Sequence, residues 1–166
     1  LERFDKFKRK ASKNNTRDCY VLKADIKHYF QEVNHEVLIN IIKRKVQDER
    51  IVRLISIILA NYNGDGVGKG MPLGNLTSQF FANVYLNELD QFVKHILKVK
   101  YYIRYVDDFV ILYESKEQLE EWRIKIDNFL KTQLKIRLHP NKSQITKLEN
   151  GIKFLGFKVF YYHKLI

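Results

Sequence analysis

Residues 102–111, YIRYVDDFVI, place two adjacent carboxylates between two runs of apolar, aromatic and β-branched side chains. Both runs predict strands, because such residues suit a pleated and half-buried surface. Aspartate is a poor strand former, and an unpaired carboxylate is costly to bury. The stretch therefore predicts a β-hairpin with Asp107 and Asp108 at its tip, where something must compensate the two charges.

The Asp107–Asp108 pair has two interpretations. Taken alone, it favours a solvated turn, because aspartate tolerates the positive φ that a tight hairpin often requires. The alternative is a divalent cation held by the carboxylate oxygens, which would remove their repulsion and supply the missing partner. A third carboxylate elsewhere in the chain is needed to decide between them.

The composition restricts the class of protein. A chain of 166 residues with 45% hydrophobic residues fits one domain with a single core. Its formal net charge of +11 predicts a polyanionic partner, with nucleic acid ahead of an acidic membrane. The single Cys19 fits a reducing compartment, and the longest apolar stretch, residues 54–60, is too short to span a bilayer. We therefore expect a cytoplasmic protein without a membrane partner.

The start of the chain is strongly basic. Residues 1–17 carry seven Lys or Arg residues against only Glu2 and Asp5. Such a run predicts a solvated arm. Because the chain begins with Leu and its only methionine is Met71, we expect a piece excised from a longer polypeptide.

The first half of the chain predicts a strand followed by helices. Residues 20–26 read as a short strand, and residues 34–62 as one helix capped by Asn34 and stopped by Gly64. The glycine-rich residues 63–70 predict a flexible loop, because their spacing does not match a phosphate-binding loop. A second helix is expected from about residue 80 to residue 98, with a core-facing stripe at helical spacing formed by Phe81, Tyr85, Leu89, Phe92 and Ile96.

The second half predicts the hairpin, a third helix and further strands. Ser115 opens that helix as a capping box, residues 135–139 read as a strand, and Asn150–Gly151 predicts a hairpin turn. The order of elements resembles the split βαβ, or ferredoxin-like, arrangement. We therefore predict one α+β domain over residues 1–166, with an antiparallel sheet covered by helices on one face.

The third carboxylate is Asp25, at the end of the first predicted strand. In a split βαβ sheet this strand neighbours the central hairpin, so Asp25 can approach Asp107 and Asp108. Two hard cations could then be bridged by Asp25 and Asp107, with Asp108 and phosphate oxygens alongside. Such a pair activates a hydroxyl nucleophile and stabilises a leaving pyrophosphate in phosphoryl transfer.

Five blocks in this order resemble successive palm motifs of reverse transcriptases. They are YVLKADIKHYFQEV, GMPLGNLTSQFFANVYL, YIRYVDDFVIL, HPNKSQI and FLGF, spread over residues 20–157. The resemblance implies a polymerase palm that adds deoxynucleotides to a DNA or RNA primer on an RNA template. It implies two Mg²⁺ ions as cofactors, with Mn²⁺ able to substitute, and deoxynucleoside triphosphates as substrates.

The resemblance also implies roles for individual residues. It makes Asp25, Asp107 and Asp108 the metal-binding triad, with the Ile26 carbonyl beside them. Phe30 becomes the steric gate under the nucleotide sugar, although without the motif it reads as plain core. The remaining implied contacts are Lys142 as proton donor to pyrophosphate, Leu73, Gly74 and Gln79 at the nucleotide, and Tyr105, Phe154, Leu155 and Gly156 at the primer and template.

One departure from the family pattern narrows the resemblance. Leu73 stands where most of the family has Gln, and Gln79 stands where most has Pro. This variant resembles the enzymes of diversity-generating retroelements, which copy RNA with frequent errors at adenines and would add an accessory protein as partner. Bacterial antiphage-defence enzymes share the variant, so a bacterial or phage-encoded origin is expected and both assignments stay open.

Other functions remain alternatives. Residues 1–19 are too few for complete fingers and are expected to be a basic remnant of them. We expect neither complete fingers nor a thumb within residues 1–166, so the fragment alone could be inactive. A template-independent nucleotide-adding relative is a second enzyme interpretation. A noncatalytic nucleic-acid-binding palm is the alternative outside enzymes, since the positive charge and 22 aromatic residues would suffice for it. Clustered Asp25, Asp107 and Asp108 argue against it, because a phosphate binder gains nothing from negative charge.

Overall fold

The computed structural model describes residues 2–62, 66–72 and 74–165. Within them, the helices are α1 (Glu2–Ala11), α2 (Tyr29–Glu32), α3 (His35–Lys43), α4 (Glu49–Ala60), α5 (Leu76–Gln91) and α6 (Lys116–Gln133). The strands are β1 (Tyr20–Ala24), β2 (Tyr102–Tyr105), β3 (Asp108–Tyr113), β4 (Gln144–Lys147), β5 (Ile152–Phe154), β6 (Phe157–Val159) and β7 (Lys164–Leu165). No helix of the described residues is both long and apolar enough to cross a membrane.

The main sheet has four strands in the order β2-β3-β1-β4, and every neighbouring pair is antiparallel. Strands β2 and β3 form the predicted hairpin, with Tyr105 opposite Asp108. Strand β1 lies next to it, with Ala24 opposite Phe109. This arrangement confirms the predicted α+β fold, in which the first strand and the hairpin are neighbours.

Both faces of the main sheet are covered. On one face Leu22 and Ile111 pack with residues of α3, α5 and α6 into the larger core, which is the predicted helical layer. On the other face Val21 and Val110 pack against α1 and a second antiparallel sheet of β5, β6 and β7, which the sequence analysis did not predict. Adjacent apolar residues in β1 fit a strand buried on two sides.

The basic N-terminal segment is not the solvated arm that its charge predicted. It forms α1, in which Phe4 and Lys8 are buried. The Lys8 ammonium lies 2.8 Å from Asp5 and donates to the carbonyl oxygen of Phe160 at 3.1 Å, so its charge is compensated. Phe4 and Ala11, seven residues apart, lie on one helical face that packs against the core. The prediction was wrong because the many charged residues of this segment obscured that apolar face.

The predicted single helix over residues 34–62 is two helices, α3 and α4. Asn34 caps α3 as predicted, since its side-chain oxygen accepts from the Val37 N–H at 3.0 Å. The chain then breaks, and Asp48 caps α4 by accepting from the Arg50 N–H at 2.9 Å. The break contains neither glycine nor proline, so Asp48 was the one local signal for it. Gly64, the predicted stop, lies outside the described residues.

Helix α5 starts earlier than predicted, at Leu76, and continues as one wider π-helical turn over Phe92–Ile96. Phe81, Tyr85 and Leu89 are buried as predicted. Ile96 is 69% exposed, so its assignment to the core was wrong. The wider turn shifts the angular phase of the residues after it, which moves Ile96 away from the apolar stripe.

In the second half of the chain the predicted start of a helix is confirmed, whereas a predicted strand and a predicted hairpin turn are wrong. The Ser115 hydroxyl accepts from the Gln118 N–H at 3.1 Å and opens α6 as predicted. Residues 135–139 are not a strand and contribute one bridge, between Leu138 and Ile26. The predicted turn at Asn150–Gly151 does not join a hairpin, because β4 pairs with β1 whereas β5 pairs with β6 in the second sheet. Pairing with the edge of β1 outweighed the local turn signal.

Candidate active site

The three predicted carboxylates lie at one end of the main sheet. Asp25 directly follows β1, and Asp107 and Asp108 lie at the hairpin between β2 and β3. The pairing of Ala24 with Phe109 brings these two chain positions side by side. The Asp25 charge is close enough to raise the pKa of Asp107. The fold therefore brings together the groups that the sequence analysis expected to approach each other.

The hairpin tip is held in a strained conformation. Val106 has a φ of 53°, in the left-handed region that a β-branched residue rarely adopts. Its carbonyl oxygen accepts from Arg104 Nη1 at 2.8 Å. Arg104 also donates to both carboxylate oxygens of Asp90 on α5, at 2.9 and 2.7 Å, and the Tyr102 hydroxyl donates to the same carboxylate at 2.7 Å. This network ties the tip to α5 and compensates the strain beside Asp107.

Two lysines accompany the carboxylates. Lys142 Nζ donates to Asp25 Oδ2 at 3.3 Å, and Lys23 Nζ lies 3.7 Å from Asp108 Oδ1. That oxygen of Asp108 is buried and accepts no hydrogen bond from the residues that the structure describes. Among the residues that the structure describes, the Lys23 ammonium group at 3.7 Å is the compensation for this oxygen.

The pKa of Asp107 is raised above its ordinary value. Burial is the main cause, because it disfavours the charged carboxylate, and repulsion from Asp25 and Asp108 adds to it. The backbone amide of Asp107 and the charge of Lys142 act in the opposite direction without outweighing these effects. A further positive charge at this place would therefore be favourable.

The donor set fits a hard divalent cation. Carboxylate oxygens are the ligands that Mg²⁺ and Mn²⁺ prefer, and both the raised pKa of Asp107 and the unbonded oxygen of Asp108 call for positive charge. The described residues do not include three His, Cys, Asp or Glu side chains already close enough to hold a metal ion. Binding of a cation would therefore require the carboxylates of Asp25, Asp107 and Asp108 to draw closer together than they lie here. Ile26 is 1% exposed, so only its backbone can face the carboxylates.

A cavity of about 630 Å³ opens beside the carboxylates. Nine of the predicted site residues line it: Phe30, Gly74, Gln79, Tyr105, Asp107, Asp108, Phe154, Leu155 and Gly156. Asp25, Ile26 and Lys142 do not line it, although Asp25 and Lys142 are paired next to Asp107. Leu73 lies outside the described residues. The structure thus gathers most of the residues to which the sequence analysis assigned separate roles.

Comparison with known proteins identifies the family. Residues 2–159 match the family model described as reverse transcriptase (RNA-dependent DNA polymerase). The chain belongs to the reverse transcriptase family. Its curated relatives include Protein YkfC of Escherichia coli K12, 28% identical, with 87% of this chain and 48% of that protein covered. Group II intron-encoded protein LtrA of Lactococcus lactis is 24% identical, with 84% of this chain and 35% of that protein covered. The chain thus spans about half the length of these relatives or less.

Solved structures share the fold of this reverse transcriptase chain. Apo telomerase from Candida tropicalis, truncated from its C-terminal domain, superposes with a TM-score of 0.73 at 16% identity, covering 99% of this chain and 39% of that one. The telomerase of the same organism with a TWJ fragment of telomeric RNA gives 0.74 at 17% identity, covering 96% and 31%. The family resemblance is confirmed, while the finer resemblance to diversity-generating retroelements stays a prediction from sequence.

Four residues of the reverse transcriptase cavity were missed by the sequence analysis: Lys23, Asn83, Val106 and Lys153. Lys23 precedes Asp25 by two residues, and in a strand such residues share a face, so alternation could have found it. Asn83 lies one helical turn after Gln79 and donates to its carbonyl oxygen at 3.1 Å. The strain at Val106 has no sequence signal, because valine is usual in strands.

Proposed function

We propose that this chain is the palm of an RNA-directed DNA polymerase that adds deoxynucleotides to a DNA or RNA primer on an RNA template. The observation that carries the proposal is the convergence of Asp25, Asp107 and Asp108 at one sheet end, beside a cavity large enough for a nucleotide. Membership of the family supports the reaction class. Because the chain spans half of its relatives or less, the activity of the whole polypeptide is part of the proposal.

Divalent metal ions are the expected cofactors, since reverse transcriptases as a family use them. Asp25 and Asp107 would hold two Mg²⁺ or Mn²⁺ ions, with Asp108 and the Ile26 carbonyl alongside. When bound, such ions would supply positive charge to the transferring phosphoryl group and to the attacking hydroxyl. Arg104 would help to keep Asp107 in place, since it donates to the carbonyl oxygen of the preceding Val106 and is itself held by Asp90.

The nucleotide would be selected by shape. Phe30 is partly buried, packs edge-on against Tyr29 with ring centroids 5.4 Å apart, and lines the cavity. An aromatic ring against C2′ of the sugar leaves no room for a ribose hydroxyl. Gly74 has a φ of 92°, and nothing lies within 4 Å of the place where a Cβ would be, so the nucleotide can approach its backbone closely.

Lys142 would act on the leaving pyrophosphate, and the turn between β5 and β6 would contact the primer strand. Lys142 Nζ lies 3.3 Å from Asp25 Oδ2, and this contact supports a role for its ammonium group as proton donor to the leaving pyrophosphate. Leu155 and Gly156, both with positive φ, form the turn that follows Phe154 on the cavity wall, where the primer strand would lie. The net charge of +11 suits RNA template and primer.

Error-prone copying in a diversity-generating retroelement is the finer proposal, and an accessory protein would then be a partner. It is supported by Leu73 and Gln79, which replace the Gln and Pro of the wider family. An apolar side chain cannot hydrogen-bond the incoming nucleotide as Gln can. A smaller free-energy difference between correct and mispaired transition states would follow.

Primer extension with the full-length polypeptide that carries this chain tests the proposed reaction. The wild type should extend a primer on RNA, and Asp107→Asn should abolish extension because charge neutralisation supplies most of the catalysis. Asp18→Asn is the matched control, since Asp18 is an exposed aspartate just before the opposite end of β1. Equal extension by wild type and Asp107→Asn would refute the proposal. Nucleotide addition without template would favour the template-independent alternative, and nucleic-acid binding without extension would favour the noncatalytic one.

A further inference from the structure

A second cavity, of about 470 Å³, is lined by positive charge. Its lining includes Lys27, Lys69, Lys131, Lys135 and Arg137, with Glu32 as the one carboxylate among the described lining residues. Glu32 is paired with Lys69 at 3.2 Å, and Lys131 is paired with Asp127 at 2.5 Å. Lys27, Lys135 and Arg137 form no salt bridge with the residues that the structure describes. Three cations are therefore left to attract an anion from solution.

This basic cavity adjoins the catalytic carboxylates. The Lys27 N–H donates to the Arg137 carbonyl oxygen at 3.0 Å, and the His139 N–H donates to that of Asp25 at 2.7 Å. Between these two bonds Ile26 pairs with Leu138, and both side chains are buried. Asp25 and Lys27 flank the buried Ile26, and both are partly exposed. The free cations thus begin two residues from a catalytic aspartate.

Backbone strain marks the same cavity. His28 has a φ of 48° and Lys135 a φ of 54°, and both line the cavity without being glycine. Lys135 stands just after the C-terminus of α6, where glycine is the favoured residue. Cations near a helix C-terminus also interact favourably with the helix dipole, which explains the positions of Lys131 and Lys135 at the end of α6. It does not explain why Lys27 and Arg137 lie there too. Strained positions of this kind concentrate at functional sites.

The lining indicates which anion fits. Apart from the imidazole of His28, no aromatic ring is among the described lining residues, so the cavity offers no stacking surface for a base. A water molecule occupies about 30 Å³ in the liquid. The cavity, at about 470 Å³, therefore has room for a small, partly hydrated anion. Nucleotidyl transfer at Asp25 and Asp107 would release one such anion, pyrophosphate, next to this cavity.

We propose that the basic cavity is the release site for the pyrophosphate product, held mainly by Lys27, Lys135 and Arg137. The proposal rests on the polymerase function proposed above, because that reaction supplies the pyrophosphate. Its recognition chemistry does not depend on catalysis. Several cations that lack a carboxylate partner bind a compact polyanion more strongly than a single phosphate.

Calorimetric titration of the 166-residue chain with sodium pyrophosphate, in EDTA and without divalent ions, tests the site. The wild type should bind one pyrophosphate per chain, more tightly than inorganic phosphate. The Lys135→Gln/Arg137→Gln double variant should bind at least tenfold more weakly. The charge-matched control Arg9→Gln/Lys10→Gln, on exposed positions of α1, should stay within twofold of wild type. An equal loss in both double variants would overturn the proposal, because only net charge would then matter.

The Lys135→Gly variant separates a loss of pyrophosphate binding from a loss of stability. It removes one cation and relieves a left-handed φ, so it should unfold at higher temperature than wild type yet bind pyrophosphate more weakly. Unchanged pyrophosphate binding by this variant would contradict the proposal. So would an equal weakening of deoxynucleoside triphosphate binding in the Lys135→Gln/Arg137→Gln variant, which would assign the cavity to the substrate. Selective loss of RNA binding would assign it to the template.

The two proposals fail separately. The Asp25→Asn/Asp107→Asn variant should keep pyrophosphate binding in EDTA, because neither carboxylate belongs to the basic cavity. If pyrophosphate binds as expected while the aspartate variants extend primers normally, the polymerase proposal fails and the anion site stands. If the aspartate variants lose primer extension but pyrophosphate does not bind, the polymerase proposal stands and the release site fails.

Discussion

Replacement of Asp90 by asparagine should destabilise the fold and loosen the hairpin that carries Asp107. Asp90 is 18% exposed and receives three hydrogen bonds, two from the 10% exposed Arg104 and one from Tyr102. Removing one charge of a buried pair leaves the other uncompensated, which costs about 3–5 kcal/mol. Because both side chains keep some solvent contact, we expect the lower end, about 3 kcal/mol. For a chain of this size that corresponds to a fall of about 6–12 °C in Tm.

Urea and thermal unfolding followed by circular dichroism measure this loss. Glu88→Gln is the control, because it removes the partner of Arg44, whose side chain is 63% exposed, and should cost at most about 1 kcal/mol. Binding of Mg²⁺ should also weaken in Asp90→Asn, since Arg104 holds the carbonyl oxygen next to Asp107. A free energy of unfolding within about 1 kcal/mol of wild type would show that this network does not fix the hairpin.

Three further predictions concern single residues. Phe30→Ala should increase ribonucleotide incorporation relative to deoxynucleotide incorporation in primer extension. An unchanged ratio would show that Phe30 is a core residue and not a steric gate. Leu73→Gln should lower the error frequency opposite template adenine by up to about tenfold per 1.4 kcal/mol regained, as sequencing of the products would show, whereas equal error spectra would leave Leu73 as packing. Burial raises the pKa of the Cys19 thiol to about 12, so the native protein should react with a thiol reagent at pH 8 far more slowly than the urea-unfolded chain, and equal rates would contradict that burial.

Sequence reasoning succeeded where the signal was local. The hairpin at Asp107 follows from its flanking strands, and the caps at Asn34 and Ser115 follow from short-range hydrogen bonds. The approach of Asp25 depended on the expected sheet topology. The hairpin and the caps, unlike the approach of Asp25, depend on alternation and capping, which a few consecutive residues determine.

It failed where distant segments compete. After Gly151 the chain enters a second sheet, whereas β4 before it pairs with β1, and no local sequence pattern indicates this difference in pairing. The contact of Lys142 with Asp25 joins residues 117 positions apart, and the Arg104–Asp90 pair joins residues 14 apart. Such contacts arise from packing, so the network behind the candidate site is visible only in the folded chain.

Calorimetric titration of the chain with Mg²⁺ and with Mn²⁺ tests the central claim most directly, namely that these carboxylates hold the catalytic cations. The wild type should bind, the Asp25→Asn/Asp107→Asn double variant should lose that binding, and the Asp18→Asn control should retain it. Circular dichroism on the same samples verifies that the variants are folded. Equal metal binding by the wild type and the double variant would contradict the account.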